Sequence, residues 1–175
     1  ESLLYRSYAK VQSKDLEGAI SDYDLLIKLN PDHFKFYNYR SEVKRKIGNI
    51  QGAIDDCEKS LEIDSDQNNI FYDLGTLYKN SDQHEKAINA FTSAIDRGSN
   101  DVDSYWNRGL VKAKIGDSAG AISDYSKVIE LNPNIPEAYN NRGIAKLDLK
   151  DYNGAIFDYS KVIEIMPNAA SAYKN

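Results

Sequence analysis

Apolar residues along this chain fall three and four positions apart in runs of roughly a dozen, each bounded by a short polar segment, a spacing that marks amphipathic helices. Residues 102–135 illustrate it. Tyr105, Gly109 and Ile115 belong to a first block, and Ala121, Ile122, Tyr125, Ile129 and Leu131 to a second. Strands would need two-residue alternation between turn signals, and the sequence offers none. An all-α chain of helix pairs is predicted.

The pairs recur at a fixed interval. GAISDYDLLIKLNPD, GAIDDCEKSLEIDSD, KAINAFTSAIDRGSN, GAISDYSKVIELNPN and GAIFDYSKVIEIMPN begin at positions 18, 52, 86, 120 and 154, a period of 34 residues without insertion. The predicted organisation is one solenoid over residues 1–175, with hairpins of about 1–33, 34–67, 68–101, 102–135 and 136–169. Residues 170–175 open a sixth unit, because Tyr173 stands one period after Tyr139. Two short helices cannot bury their apolar faces alone, so each hairpin must stack on its neighbours.

Individual columns sharpen the picture. Ala19, Ala53, Ala87, Ala121 and Ala155 occupy one position in every unit, as a close crossing of two helices requires. Asp15, Asn49, Asp117 and Asp151 stand where a short side chain caps the second helix, and the third unit offers Asp82 for the same task. All four prolines, Pro31, Pro133, Pro136 and Pro167, fall between units or at a first helical residue.

The period, the alanine column, the Gly75/Gly109/Gly143 column, the aromatic column of Tyr23, Phe91, Tyr125 and Tyr159 and the terminal prolines together resemble the tetratricopeptide repeat family over essentially the whole chain. That resemblance implies a right-handed α-solenoid whose first helices line a concave groove, and an activity of binding proteins or peptides as a scaffold or adaptor. One feature departs from the family pattern. Where an apolar residue is usual before the glycine, four units carry Arg6, Arg40, Arg108 and Arg142, together with Lys10, Lys44, Lys112 and Lys146 and with Asp22, Asp56, Asp124 and Asp158. The third unit has Leu74, Tyr78 and Ala90 instead. Each arginine is expected to pair with the aspartate of its own hairpin; the alternative is a set of solvated surface charges.

Composition narrows the function classes. The net charge of -5 and the lack of any Lys/Arg run resembling a footprint for phosphate backbones argue against nucleic acid, and no apolar run is long enough to enter a bilayer as a spanning helix. The single cysteine, Cys57, excludes an internal disulfide and favours the cytoplasm without fixing the compartment; it fills the aromatic column and is expected in the core. His33 and His84 lack ligand partners at helical spacing, so no metal is expected. Neither a cofactor loop nor a nucleophile with its base can be assembled, and an enzyme is not predicted. The absence of an initial methionine is read as a fragment or processed product, either a binding module in its own right or the non-catalytic recruitment arm of a larger enzyme.

In the frame of the resemblance, projecting the first helices leaves an apolar strip without a core role: Tyr8, Tyr72, Trp106, Leu110, Ile144 and Leu147. Lys35, Asn38, Glu42 and Arg45 fall on the same wall, whose charges nearly cancel. Tyr72, Trp106, Leu110 and Ile144 are the expected apolar anchors for a bound segment. The alternative is that Trp106 and Leu110 pack on each other or on the next unit. Asn107, Asn141 and Asn175 share one column, beside Asn140, and resemble the asparagine ladder of the O-linked N-acetylglucosamine transferase and peroxisomal import receptor repeats, whose amides bond an extended peptide backbone. Tyr5, Tyr39 and Asp73 interrupt that ladder in the first half, and asparagine is also ordinary on a helix surface. The residues of a chaperone-tail clamp are not matched. The unfinished sixth unit predicts either further repeats in a longer parent protein or end-to-end self-association.

Overall fold

The computed structural model describes residues 1–98 and 102–167. Its ten helices are α1 (Ser2–Gln12), α2 (Leu16–Leu29), α3 (Phe34–Lys46), α4 (Ile50–Ile63), α5 (Asn68–Asn80), α6 (His84–Asp96), α7 (Val102–Lys114), α8 (Ser118–Leu131), α9 (Pro136–Asp148) and α10 (Tyr152–Ile165), with no strand among the described residues. The expected opening of a sixth unit lies outside these residues. Two compact units are formed: Glu1–Gln83 holds α1 to α5, and the second begins at His84 with α6. The division falls inside the third 34-residue repeat, the one that lacks the Arg, Lys and Asp set.

The short connections are built by two adjoining columns. Asp15, Asn49, Asp117 and Asp151 each accept a bond from the amide three residues on, at 2.9–3.1 Å, and so satisfy one orphan donor of the second helix. The residue before each cap turns the chain with a left-handed backbone: Lys14 (φ 66), Gly48 (φ 80), Gly116 (φ 84) and Lys150 (φ 61). Asp82 (φ 58) belongs to this column rather than to the caps, a correction to the expectation from sequence. Its position in the period, one before the cap column, governs over its side-chain type. Gly116 has open space where a Cβ would sit, so only the backbone resists substitution. Gly116→Ala is expected to cost about 1 kcal/mol, read as a shifted chemical-denaturation midpoint.

Packing follows the columns. All five alanines of the alanine column are buried, and Tyr23, Cys57, Phe91 and Tyr125 of the aromatic column with them. In the N-terminal unit, Ala19, Tyr23 and Leu26 of α2 meet Phe36 and Val43 of α3; in the C-terminal unit, Ala121 and Tyr125 of α8 meet Ala145 of α9. Gly109 lets α7 approach α8, since a Cβ there would lie 3.0 Å from the Tyr125 ring and 3.3 Å from Cβ of Asp124. Ile115 and Leu131 are corrected outward. Both are exposed, Ile115 because α7 has already ended at Lys114.

Candidate functional site

Two clusters of polar chemistry stand out, one inside the hairpins and one on the wall of first helices. The first is the Arg, Lys and Asp set. Asp22, Asp56, Asp124 and Asp158 are buried, and each receives Nε and Nη2 of its own hairpin's arginine, at 2.9–3.0 Å and 2.5–2.7 Å. Lys10, Lys44, Lys112 and Lys146 complete the set at 2.8–3.0 Å from the same carboxylates. The solvated alternative is thereby excluded. The bond from Arg6 holds the Asp22 carboxyl below its usual range. Burial pushes Asp158 up, and the bonds from Arg142 and Lys146 outweigh it, leaving a net lowering.

Each inner arginine also reaches backwards, which the sequence did not foretell. Nη1 of Arg40 meets Asp24 at 2.5 Å, that of Arg108 meets Thr92 Oγ1 at 2.9 Å, and that of Arg142 meets Ser126 Oγ at 3.0 Å. The guanidinium therefore ties a first helix both to its own second helix and to the second helix before it. In α5, Leu74 and Tyr78 are buried instead, and the Tyr78 hydroxyl donates to Glu58, the residue that occupies the Asp24 column. These groups are packing devices: the four carboxylates and the inner arginines spend their bonds within the fold.

The wall of first helices carries the second cluster. In the C-terminal unit Leu110, Asn141 and Ile144 line a cavity of about 210 Å³ together with Ala113, Tyr125, Ala145 and Asp148. Trp106 stands behind it, half-buried and edge-on to Tyr125 at 5.7 Å between ring centres, in a cluster that includes Leu110. These are the contacts of the reading in which Trp106 packs with Leu110, and Trp106 is not among the residues that line the cavity. Burial pushes the Tyr125 hydroxyl up to about 12. Asn140 is half-buried and donates weakly to Asn141 at 3.4 Å. Asn107 is buried, and its Nδ2 donates to the Asp103 carbonyl at 2.9 Å on its own helix. Ile144 and Leu147 are exposed. Tyr72 is half-buried on α5 and belongs to the N-terminal unit. Asn175 lies outside the described residues.

A larger cleft, about 740 Å³, opens in the N-terminal unit between α3, α5 and the segment joining α4 to α5. Asn38, Glu42, Arg45, Gln67, Asn69 and Asp73 contribute to its lining. Gln67 holds that segment by donating to the carbonyls of Ser60 and Asp64, at 3.1 and 2.6 Å, and by accepting from Asn38 Nδ2 at 2.6 Å. Asn38 Oδ1 is buried without a partner among the described residues. The projection placed Asn38, Glu42 and Arg45 on this wall but singled out only apolar residues and the later asparagines. Gln67 carried no signal, since it acts through carbonyls at the end of α4 and just beyond it that only the fold brings to it.

Chemistry of other kinds finds little footing. Burial pushes the Cys57 thiol up to about 11, and it sits 2.9 Å from Ser41 Oγ, so the nucleophilic thiolate is suppressed at neutral pH. Among the described residues no three His, Cys, Asp or Glu side chains are grouped to hold a metal ion, and no helix is long and apolar enough to cross a membrane.

Known proteins resemble this chain in both sequence and structure. Tetratricopeptide repeat profiles match residues 69–97 and 136–169, and a TPR repeat profile matches residues 113–149. No curated protein sequence matches significantly. Among solved structures, MamA shares 25% identity at a TM-score of 0.88, over 97% of this chain and 92% of that one. YrrB, described as a TPR protein with an unusual peptide-binding site, shares 24% identity at a TM-score of 0.85, over 99% and 91%. A tetratricopeptide repeat protein from Parabacteroides merdae ATCC 43184 shares 20% identity at a TM-score of 0.84, over 95% of this chain and 66% of that one. With its 34-residue hairpins, its columns of small and aromatic residues and these matches, the chain belongs to the tetratricopeptide repeat family.

Proposed function

We propose that this chain is a non-catalytic protein-interaction module that holds a peptide or protein segment against its first helices, as an adaptor or scaffold. The observation that carries the reading is the cavity on α7, α8 and α9, where Leu110 and the exposed Ile144 meet the amide of Asn141. Apolar anchors beside a group that both donates and accepts suit a segment of extended chain. Trp106 supports that wall from behind. Asn140 and Asn141 offer amides to the partner's backbone, whereas Asn107 would have to exchange its bond with Asp103. Tyr72 serves as an anchor in the N-terminal unit. In YrrB the same fold hosts a peptide-binding site. Recruitment of a substrate for a larger enzyme would use this surface in the same way, and the acidic balance of the chain disfavours nucleic acid.

Selection of a random peptide library on the immobilised chain tests the reading. Enriched peptides are expected to bind the Ile144→Asp, Leu147→Asp variant at least about tenfold more weakly, a loss of roughly 1.4 kcal/mol. Both positions are exposed, so the variant keeps its fold. Failure to enrich any peptide, or equal affinity for both proteins, would remove the groove assignment.

A further inference from the structure

The cavity on α7, α8 and α9 lies between two successive first helices, each followed by its own second helix. Leu110 and Ala113 enter it from α7, the Tyr125 ring from α8, and Ile144 and Ala145 from α9. An apolar cavity of roughly 150 Å³ is enough to hold benzene. At about 210 Å³ this one takes a single phenyl-sized or branched aliphatic side chain.

The charges that border it are of one sign. On α9, Glu137, Asn141, Ile144 and Asp148 recur at helical spacing on one face, and the last three line the cavity. Asp148 is exposed; its Oδ2 accepts from Ser118 Oγ at 3.1 Å, and its Oδ1 has no partner among the described residues. Asp103 opens the corresponding face of α7, two turns before Leu110. The side chains of Asp103 and Glu137 are exposed and enter no ion pair among the described residues.

Most of the basic residues that could balance these carboxylates are committed elsewhere. Helices α7 and α9 carry five, of which Arg108, Lys112, Arg142 and Lys146 are held inside their own hairpins on Asp124 and Asp158, at 2.6–2.9 Å. The fifth, Lys114, ends α7. The columns that lock the hairpins thus leave three carboxylates against one ammonium on these two helices. Helix α3 has the opposite balance, with Lys35, Arg45 and Lys46 outside its Asp56 site and Glu42 as its one acid.

We infer, resting on the groove reading above, that the segment held by α7 and α9 is basic: one large apolar residue fills the cavity, and a lysine or arginine close to it in sequence meets Asp148. One helical turn, about 6 Å, separates Ile144 from Asp148, and about two residues of extended chain span that distance. The apolar side chain supplies affinity. The carboxylates select the sign of the partner and speed its encounter, and an acidic segment is repelled by the same charges.

The random-library selection on the immobilised full chain, read position by position, tests the inference. Enriched peptides are expected to share one large apolar residue with Lys or Arg within about two positions of it. Asp148→Asn removes the charge while keeping an oxygen to accept from Ser118, and is expected to weaken these peptides about fivefold at low salt, with the difference vanishing at high salt. Ala113→Phe fills the cavity from an exposed position and is expected to weaken them at least about tenfold. Peptides that lose binding to the Ile144→Asp, Leu147→Asp variant, yet carry no basic residue near the apolar one, would overturn the inference and leave the groove reading standing. Equal low-salt affinity for the native chain and Asp148→Asn, or unchanged affinity for Ala113→Phe, would do the same. Failure to enrich any peptide, or indifference to Ile144→Asp, Leu147→Asp, would remove both.

Discussion

Asp124→Ala is expected to destabilise the C-terminal unit by about 3–5 kcal/mol, because it leaves the Arg108 and Lys112 charges in a site that the rest of the fold keeps dry. A pair of solvent-exposed ions would be worth at most about 1 kcal/mol. The difference lies in burial: the Asp124 side chain is 2% exposed and those of its two partners 14% and 16%. Removing one partner therefore costs more than removing all three. The triple replacement Arg108→Leu, Lys112→Leu, Asp124→Leu is expected to be much closer to the native stability, since apolar groups of similar bulk need no partner. The third repeat follows that apolar course, with Leu74, Tyr78 and Ala90 buried in the same columns. Guanidinium denaturation, fitted with coupled repeats rather than as two states, supplies the comparison. A loss below about 1 kcal/mol for Asp124→Ala would show that the site is effectively solvated.

Tyr125→Ala should cost a similar amount, about 3–5 kcal/mol, through a different cause. The ring is 1% exposed, rests against Gly109, and meets Trp106 edge-on. Its loss leaves a cavity at the crossing of α7, α8 and α9 that neighbouring side chains cannot fill, because Ala121 and Ala145 are too short to reach across. Tyr125→Phe separates packing from hydrogen bonding. It keeps the ring, loses only the hydroxyl, and is expected to cost at most about 1 kcal/mol. Equal costs for the two substitutions would mean that the hydroxyl, rather than the ring, holds the crossing.

Legibility followed the periodicity. The alanine column, the four short-side-chain caps and the proline at the start of α9 could be read because each meets a local requirement of a helix end or a helix crossing. Asp82 was misread because residue type was weighed above position in the period. The left-handed backbone there follows from how the hairpin turns, and Lys14 and Lys150 adopt it too. The charged columns were legible as a set, since three positions change together in the third unit. Among the site residues, Leu110, Asn141 and Ile144 do come to one cavity, whereas the N-terminal cleft around Asn38 and Gln67 was not singled out. Its polar lining looks like ordinary helix surface until the fold closes around it.

By itself, the sequence determined that this chain is a row of helix hairpins at a 34-residue period, and which column of each hairpin is small, aromatic or charged. These are consequences of local geometry and of a pattern repeated along the chain. Only the tertiary structure decided which partners those columns meet. Arg108 reaches Thr92 as well as Asp124, and Trp106 packs edge-on against Tyr125. The physical reason is that burial and bond geometry depend on helices stacked side by side, and a column in a sequence records its own residues but not the neighbour that covers them.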